Sequence, residues 1–586
     1  PPRPDARGAW EPGAMAPPER RLGVLRAHVV SAVDPPFKRV FVANRGEIAC
    51  RIHRAAKALG METVGIFTEE DRGGLHPKVL DRAVQLPRGA TPVAPYLDAA
   101  VVADIAAKEG CDAVHPGYGF LSENDNFAKL CEEKGLTFVG PAPATIDLFG
   151  DKTKAKACAA EAGLPILESS PGLTSAAAAE AFVSQAGLKF PLLLKASFGG
   201  GGRGQAVVDR PEGLSEAFAK CSKEAELSFG RPEVFVERFL PRARHIEVQI
   251  VGDGRRCVHL FERDCSVQLR KQKVVEIAPS RDMAPALREK ICGAAVRLCE
   301  SVGYRNAGTV EFLVEGDLAD AHAAFFFLEL NPRIQVEHTI TEEITGVDLV
   351  QLQFRLAGGK TLDDAGMEQR RLKFSGCAIQ VRVGLQPGGG GQVTKYVEPK
   401  GVRVDSAIAA GTSAVTDYDP MVAKLIVRGA AFGEALAAAR QAVVDYVADG
   451  ISLNKDFLMR LLGHDELAAG GVHTTWVEDL RLHLAPRRAP APGAAGGGAG
   501  AVFQLEAPFS GQVTEIKAKV GDEVAAGSTV VILSAMKMLN DIVTERPAKV
   551  LEILVEQNMQ VNEGHALVRL EATGDAPVEE DASPAP

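Results

Sequence analysis

The densest run of reactive side chains in this sequence is Asn331-Pro-Arg-Ile-Gln-Val-Glu-His338. Arg333, Gln335 and Glu337 alternate there, so an extended backbone would put all three on one face. A guanidinium offers a planar fork that matches the oxygens of bicarbonate, and a glutamate beside it can serve as general base. Lys273, in Arg270-Lys-Gln-Lys273, supplies a second positive contact. The bland alternative for the segment is a surface ladder of ion pairs with no chemistry. Shortly before it, Glu311 and Glu329 lie in two successive strand-like runs, Thr309-Val-Glu-Phe-Leu313 and Phe327-Leu-Glu-Leu-Asn331. With Asn331 they make a set of hard oxygen ligands suited to Mg²⁺ (or Mn²⁺) bridging the phosphates of ATP.

Two further patterns stand apart from that cluster. Lys195-Ala-Ser-Phe-Gly-Gly-Gly-Gly-Arg-Gly204 puts consecutive glycines, Gly200, Gly201 and Gly202 among them, between two strands. Backbone N–H groups there can approach phosphate oxygens closely, and Lys195 and Arg203 add positive charge. A flexible turn explains such a hairpin equally well, so its weight comes from its place in a longer series. Near the C-terminus, Val513/Val550, Ile516/Ile553, Gly521/Asn558, Val524/Val561, Gly527/Gly564, Val530/Leu567 and Leu533/Leu570 are each 37 positions apart. Two such halves should pack as a pseudo-twofold β-sandwich. Ala535-Met-Lys-Met538 lies midway, which puts Lys537 at a hairpin tip, exposed for a modifying enzyme. The repeat is imperfect, with Ala548 opposite Gly511 and Asn558 opposite Gly521. If the first site needs a left-handed backbone, alanine would cost about 1 kcal/mol there.

These residues need elements to hold them. Lys38–Asn44 reads as a buried strand, Gly46–Leu59 as a helix and Thr63–Phe67 as a second strand. Continued alternation predicts an α/β unit over 37–150. Leu192–Lys195 leads into the glycine hairpin and Gln205–Val208 returns from it. With Val234–Phe239, Ile246–Val251, Val258–Phe261 and the two acid-bearing strands, they predict an antiparallel α+β core with a lid over 151–350. A mixed α/β unit follows over 351–480, then an Ala/Pro/Gly linker over 481–500, a small all-β unit over 501–573 and an acidic tail over 574–586. The linker should span roughly 25 Å on average and about 70 Å when extended. Residues 1–36, rich in Pro, Ala and Arg, read as a disordered extension.

Composition narrows the classes. A net charge of −10 and a pI near 5.8 speak against a nucleic-acid or acidic-membrane partner. No apolar run reaches the roughly 18 residues a membrane helix needs. The 10 cysteines show no Cys-x-x-Cys spacing, as expected of reduced thiols. Cytoplasmic residence is expected; a mitochondrial or plastid location is the alternative if residues 15–36 are a transit segment.

Taken in order, these motifs resemble the biotin carboxylase family of the ATP-grasp superfamily. The likeness runs from about Phe37 to Leu480. It includes Ala43-Asn-Arg-Gly-Glu-Ile-Ala49, His115-Pro-Gly-Tyr-Gly-Phe-Leu-Ser-Glu123, Gly150-Asp-Lys152, Glu262-Arg-Asp-Cys-Ser266, Gln272-Lys-Val-Val-Glu276 and Asp417-Tyr-Asp-Pro-Met421. The C-terminal repeat resembles biotinyl domains, in which Ala-Met-Lys-Met is read by biotin protein ligase; lipoyl domains usually carry Asp before the lysine. The resemblance implies an ATP-grasp fold with a Rossmann-like N-terminal domain, a mixed C-terminal domain and a flattened all-β biotinyl domain. It implies that Lys537 carries covalent biotin and that Lys152 and Lys195 contact ATP phosphates. Glu237 and Leu240 would border the adenine, with His245 and Gln268 near the ribose. Glu311, Glu329 and Asn331 would hold metal. Lys273, Arg333, Gln335 and the Val336 backbone would hold bicarbonate, with Glu337 as base and Arg382 stabilising the biotin enolate. The implied reaction forms carboxyphosphate from bicarbonate and ATP, then carboxylates biotin with the released CO₂.

The resemblance has gaps and consequences. Lys271 stands where the family has His, Cys377 replaces a usual His, and Gly384-Leu-Gln-Pro-Gly-Gly-Gly-Gly391 shortens a longer family segment. Those departures keep open a scaffold that has lost turnover, and a different ATP-grasp ligase with a lipoyl-like tail is a further rival. Cys265 reads as a small buried hydrophobe, and His115 and Tyr118 as parts of a structural turn. Gly401–Asp405, Met421–Val427 and Val472–Val477 look like the α-chains of acyl-CoA carboxylases, whereas Ser534–Met538 also occurs in pyruvate carboxylases. With 13 residues, 574–586, after the biotinyl unit, a separate carboxyltransferase subunit is expected. Self-association of the biotin carboxylase part is expected as well.

Overall fold

The computed structural model describes residues 35–197, 204–386, 388–480, 500–508, 511–535, 538–544, 546–557, 559–561 and 564–574. The expected extension to residue 34, the linker to residue 499, the tail from residue 575, Gly200, Gly201, Gly202, Lys537 and Asn558 lie outside the described residues.

Strands β1 (Arg39–Val42), β2 (Glu62–Phe67), β3 (Arg82–Gln85), β4 (Ala113–His115) and β5 (Thr137–Phe138) form a parallel sheet in the order β3-β2-β1-β4-β5. Val40, Phe41 and Val42 are all buried because helices cover both faces of such a sheet. Val40 and Val42 pack with Ile48 and Ile52 of helix Gly46–Ala58 and with Phe354 of helix Leu349–Ala357. Phe41 packs on the other side with Val102 and Ala106 of helix Ala99–Lys108. Each such valine, isoleucine or phenylalanine contributes about 1.5–3 kcal/mol on burial.

β6 (Leu192–Ala196), β7 (Gln205–Val208) and β8 (Val234–Arg238) make a separate antiparallel sheet, β7-β6-β8. Gly204 closes its hairpin with a positive φ, and a Cβ there would sit 2.8 Å from that of Ala196. The largest sheet begins with β9 (Arg244–Asp253), β10 (Cys257–Leu269), β11 (Gln272–Ala278), β12 (Arg305–Glu315), β13 (Ala324–Asn331) and β14 (Cys377–Gly384). Two short ribbons pair β15 (Gly391–Gln392) with β18 (Ser413–Ala414) and β16 (Lys395–Val397) with β20 (Val447–Asp449); β17 (Arg403–Ser406) and β19 (Met421–Gly429) join the large sheet. Its eight strands run β13-β12-β9-β10-β11-β14-β19-β17, all antiparallel. Hydrogen bonding therefore continues across residue 350, where the strand pattern suggested a unit boundary. Ile246, Val248 and Ile250 pack on Leu287, Ile291 and Leu298 of helix Pro285–Ser301, which leaves His245, Glu247 and Gln249 for the opposite face.

The C-terminal unit contains β21 (Val502–Glu506), β22 (Gly511–Ile516), β23 (Glu523–Val524), β24 (Thr529–Ala535), β25 (Met538–Val543), β26 (Ala548–Ile553), β27 (Gln560–Val561) and β28 (Ala566–Ala572). Its sheets run β21-β28-β26-β23 and β25-β24-β22-β27, and the 37-residue step carries the second order onto the first. Val513, Val530, Leu533, Val550, Leu567 and Leu570 form the shared core. Ala548 is extended, paired with Val524 and Ala572, and neither it nor Gly511 has a positive φ. The penalty considered for alanine therefore does not arise. Ala535 pairs with Met538 where the β24–β25 hairpin closes.

Candidate active site

Strand register lines up charges on one face of the eight-stranded sheet. Glu329 of β13 faces Glu311 of β12, Glu311 faces Glu247 of β9, and Glu247 faces Arg263 of β10. Directly opposed residues of antiparallel strands emerge on the same side, so three carboxylates crowd together. Lys273 answers them. Its Nζ lies 2.5 Å from Glu247 Oε2, 3.0 Å from Glu311 Oε1 and 2.6 Å from Glu337 Oε1. Burial disfavours that ammonium, yet Glu247, Glu311 and Glu337 hold its pKa well above the ordinary lysine value. Fully buried Arg263 donates Nε to Glu247 Oε1 at 2.5 Å and satisfies Gln249, Thr309 and Thr341 as well.

Glu337 directly precedes helix His338–Thr345. Arg382 Nη2 reaches its Oε2 at 3.1 Å, while Arg382 Nε donates to Glu276 Oε1 at 2.5 Å. Burial would raise the Glu337 carboxyl, but Lys273, Arg382 and Arg263 hold it well below the usual carboxylate range. Gln335 Nε2 donates to Glu311 Oε1 at 2.8 Å, and Asn331 Nδ2 donates to the same oxygen at 3.0 Å. His245 Nε2 stands 2.9 Å from Glu311 Oε2, and Gln268 Nε2 donates to His245 Nδ1 at 3.0 Å.

Glu311 and Glu329 behave oppositely. Although burial works against it, Lys273 and His245 keep Glu311 strongly ionised. Burial and the neighbouring Glu311 push the Glu329 carboxyl up, with Lys152 only partly offsetting them. A carboxylate pair in which one member lacks sufficient positive compensation is a donor set that fits a divalent cation.

A second cluster lies toward β6 and β8. Buried Glu237 accepts from Lys195 Nζ at 2.7 Å and also takes Lys156. Burial would raise this carboxyl, but the two ammonium groups hold it at about 2. Lys152 is pulled below its ordinary value by burial, against the attraction of Glu329. Leu240 packs with Leu167 and Ala243 in a small apolar patch.

Lys273, Arg382, Gln335, Glu337, Glu311, Asn331, His245 and Gln268 thus meet in one connected network. Arg333 does not share a strand face with Gln335 and Glu337, because the backbone turns at 336–337 into the following helix. Its guanidinium goes instead to Glu123 Oε1 at 3.0 Å and Asn331 Oδ1 at 3.0 Å. Glu247, Arg263, Glu276 and Lys156 belong to these networks without having been singled out from the sequence. Of these, Glu247 has a signal in the sequence: the polar–apolar alternation of His245-Ile-Glu-Val-Gln249 places it on the face of His245. Lys271 donates to Gln205 Oε1 of β7 at 2.7 Å. The shortened 384–391 segment is tied down by Leu385 N to Pro420 O at 2.7 Å and Gln386 N to Ser452 O at 2.9 Å. A Cβ on Gly389 would lie 2.6 Å from the Ser452 oxygen, so this close approach requires glycine. Cys265 is fully buried, which drives its thiol pKa well up, as befits an inert core residue.

Four family models match the chain. They are the biotin carboxylase N-terminal domain over 36–146, the carbamoyl-phosphate synthase L chain ATP binding domain over 151–365, the biotin carboxylase C-terminal domain over 382–479 and the biotin-requiring enzyme model over 503–570. Mitochondrial pyruvate carboxylase of Homo sapiens is 41% identical over 479 residues, 78% of this chain and 40% of that protein. Pyruvate carboxylase 1 of Caenorhabditis elegans is 44% identical over 454 residues, 76% of this chain and 38% of that protein. The chain thus spans about 40% of the length of such curated relatives. Among solved structures, the Hydrogenobacter thermophilus 2-oxoglutarate carboxylase biotin carboxylase domain dimer, in complex with MgADP, ADP and bicarbonate, is 37% identical. That match has a TM-score of 0.73 and covers 77% of this chain and 99% of that one. A single-chain, multi-domain long-chain acyl-CoA carboxylase is 34% identical with a TM-score of 0.66, covering 92% of this chain and 51% of that one.

Proposed function

This chain belongs to the biotin carboxylase family, and on that premise we propose that it carboxylates biotin carried on its own Lys537, using ATP and bicarbonate. The observation that carries the reading is the Glu337 carboxylate held between Lys273 at 2.6 Å and Arg382 at 3.1 Å, beside the Glu311–Glu329 pair.

Bicarbonate is the natural ligand for that place. It can take donors from Lys273 and Arg382, and so relieve the charges that keep Glu337 a weak base. Glu337 then accepts the bicarbonate proton as an oxygen attacks the γ-phosphorus of ATP and ADP leaves. Lys152, Lys156 and Lys195 balance the polyphosphate charge, with the Glu237 carboxylate bridging the Lys156 and Lys195 ammonium groups. Leu240 offers an apolar wall to the base. Glu311 and Glu329 would hold Mg²⁺, which supplies charge neutralisation at the β- and γ-phosphates. Arg382 would balance negative charge that develops on the biotin ring.

Two acceptor classes stand. The 401–405, 421–427 and 472–477 motifs support an acyl-CoA such as acetyl- or propionyl-CoA, and identities of 41–44% to pyruvate carboxylases support pyruvate. In both readings a carboxyltransferase completes the reaction, biotin protein ligase modifies Lys537, and the biotin carboxylase part self-associates.

The test is ADP release by biotinylated protein with Mg-ATP, with and without bicarbonate. Release that ignores bicarbonate would sink the reading. Adding a carboxyltransferase with acetyl-CoA, propionyl-CoA or pyruvate then separates the acceptors.

A further inference from the structure

Lys424 is a buried cation for which the chemistry above has no use. It lies in β19 with no solvent exposure, opposite Arg382 of β14 on one side and Asp405 of β17 on the other. Its Nζ donates to the Val336 carbonyl oxygen at 3.0 Å and lies 2.9 Å from Glu47 Oε1. Asp405 Oδ2 stands farther off at 3.8 Å. Glu47 belongs to helix Gly46–Ala58, beside the N-terminal sheet, and also accepts the Tyr118 hydroxyl. A single nitrogen therefore joins the N-terminal α/β unit to the backbone immediately before Glu337.

The next carbonyl back is held as well. His338 Nδ1 donates to the Gln335 oxygen at 2.6 Å. Burial, reinforced by Lys424, Arg51 and Arg403, keeps that imidazole neutral. Two buried nitrogens thus grip the carbonyls of Gln335 and Val336, and the Glu337 side chain leaves the backbone at the following residue. Nothing in local helix or strand geometry needs an ammonium at this depth, and its desolvation is unfavourable unless its contacts matter.

We propose that Lys424 is a positioning residue for the carboxylation reaction. It sets the Val336–Glu337 backbone against the N-terminal unit through Glu47, and so places the Glu337 carboxylate relative to Arg382. Lys424 itself touches no reacting atom. The proposal rests on the functional reading above.

The test uses full-length biotinylated protein and two readouts, bicarbonate-dependent kcat for ADP release and the affinity for ADP. Lys424→Met combined with Glu47→Gln removes both charges together and leaves no unpaired buried ion. Glu47→Gln alone keeps the bond to Val336 but weakens the tie to the N-terminal unit. Misplacing the base should lower kcat by about 10- to 100-fold in the double variant, and less in the single one. ADP affinity should stay at the wild-type value in both. Wild-type kcat in the double variant overturns the proposal. So does a parallel loss of kcat and ADP affinity in both variants, since that marks a general structural role. Wild-type protein without bicarbonate-dependent ADP release overturns the functional reading itself, and this inference with it.

Discussion

Lys273 Nζ sits 2.6 Å from Glu337 Oε1 while it also contacts Glu247 and Glu311. One ammonium is thus the counter-charge of both the proposed base and one member of the proposed metal pair, Glu311. An anion on Lys273 and a cation on Glu311 would act on the same shared set of contacts. That coupling gives a physical reason for bicarbonate and Mg²⁺ to act in concert.

Glu337→Gln keeps the shape of the side chain but removes the proton acceptor. Bicarbonate-dependent ADP release should fall by about 10²- to 10⁴-fold, the usual contribution of a positioned base. The mass increment of biotin on Lys537 should be unchanged. Turnover near the wild-type rate would remove Glu337 from that role.

Glu329→Gln and Glu311→Gln should separate metal binding from stability. The Glu329 charge is opposed by burial and by Glu311, so its loss should leave the melting temperature unchanged or raised. Loss of the Glu311 charge strips partners from Lys273 and His245 and should lower it. Both variants should need at least about 10-fold more Mg²⁺ for half-maximal ADP release. A Mg²⁺ titration of each, beside calorimetric melting, reads both effects.

Glu237 should shape acid stability. Its carboxyl is held at about 2 in the native state. In the unfolded chain it returns to about 4.3. Between those values the unfolded state binds more protons, so stability rises with pH across that window and is flat above it. The contribution is about 3 kcal/mol when fully present. Glu237→Gln should therefore lower the melting temperature most near neutral pH, and the deficit should shrink as pH falls toward 3. A deficit independent of pH would assign the effect to packing.

Lys537→Arg keeps the charge but removes the amine that accepts biotin. Protein made beside an active biotin ligase should lack the biotin mass increment, while ADP binding stays at the wild-type level. Carboxylation should then require free biotin. An undiminished biotin increment would place the attachment elsewhere.

Much of the candidate site is legible along the chain because its motifs are local. The 37-residue step forecasts paired strands, since equal spacing of apolar residues must bury equivalent faces. Thr309–Leu313 and Phe327–Asn331 announce two acid-bearing strands, and short strands close in sequence tend to pair. The glycine hairpin forecasts β6 and β7 for the same reason.

Only the tertiary structure decided which distant charges meet. Lys424 and Val336 are 88 positions apart, and Arg333 and Glu123 are 210 apart. Their contacts depend on the register of eight strands and on the seating of the N-terminal sheet, which no period of two or 3.6 encodes. Arg333 fails for a local reason: its alternation with Gln335 and Glu337 suggests one face, but the backbone turns at 336–337 into helix His338–Thr345. Residue types and spacing determine what chemistry this chain can perform. Long-range packing determines which cation holds which carboxylate, because electrostatic pairing follows distance in space and not distance in sequence.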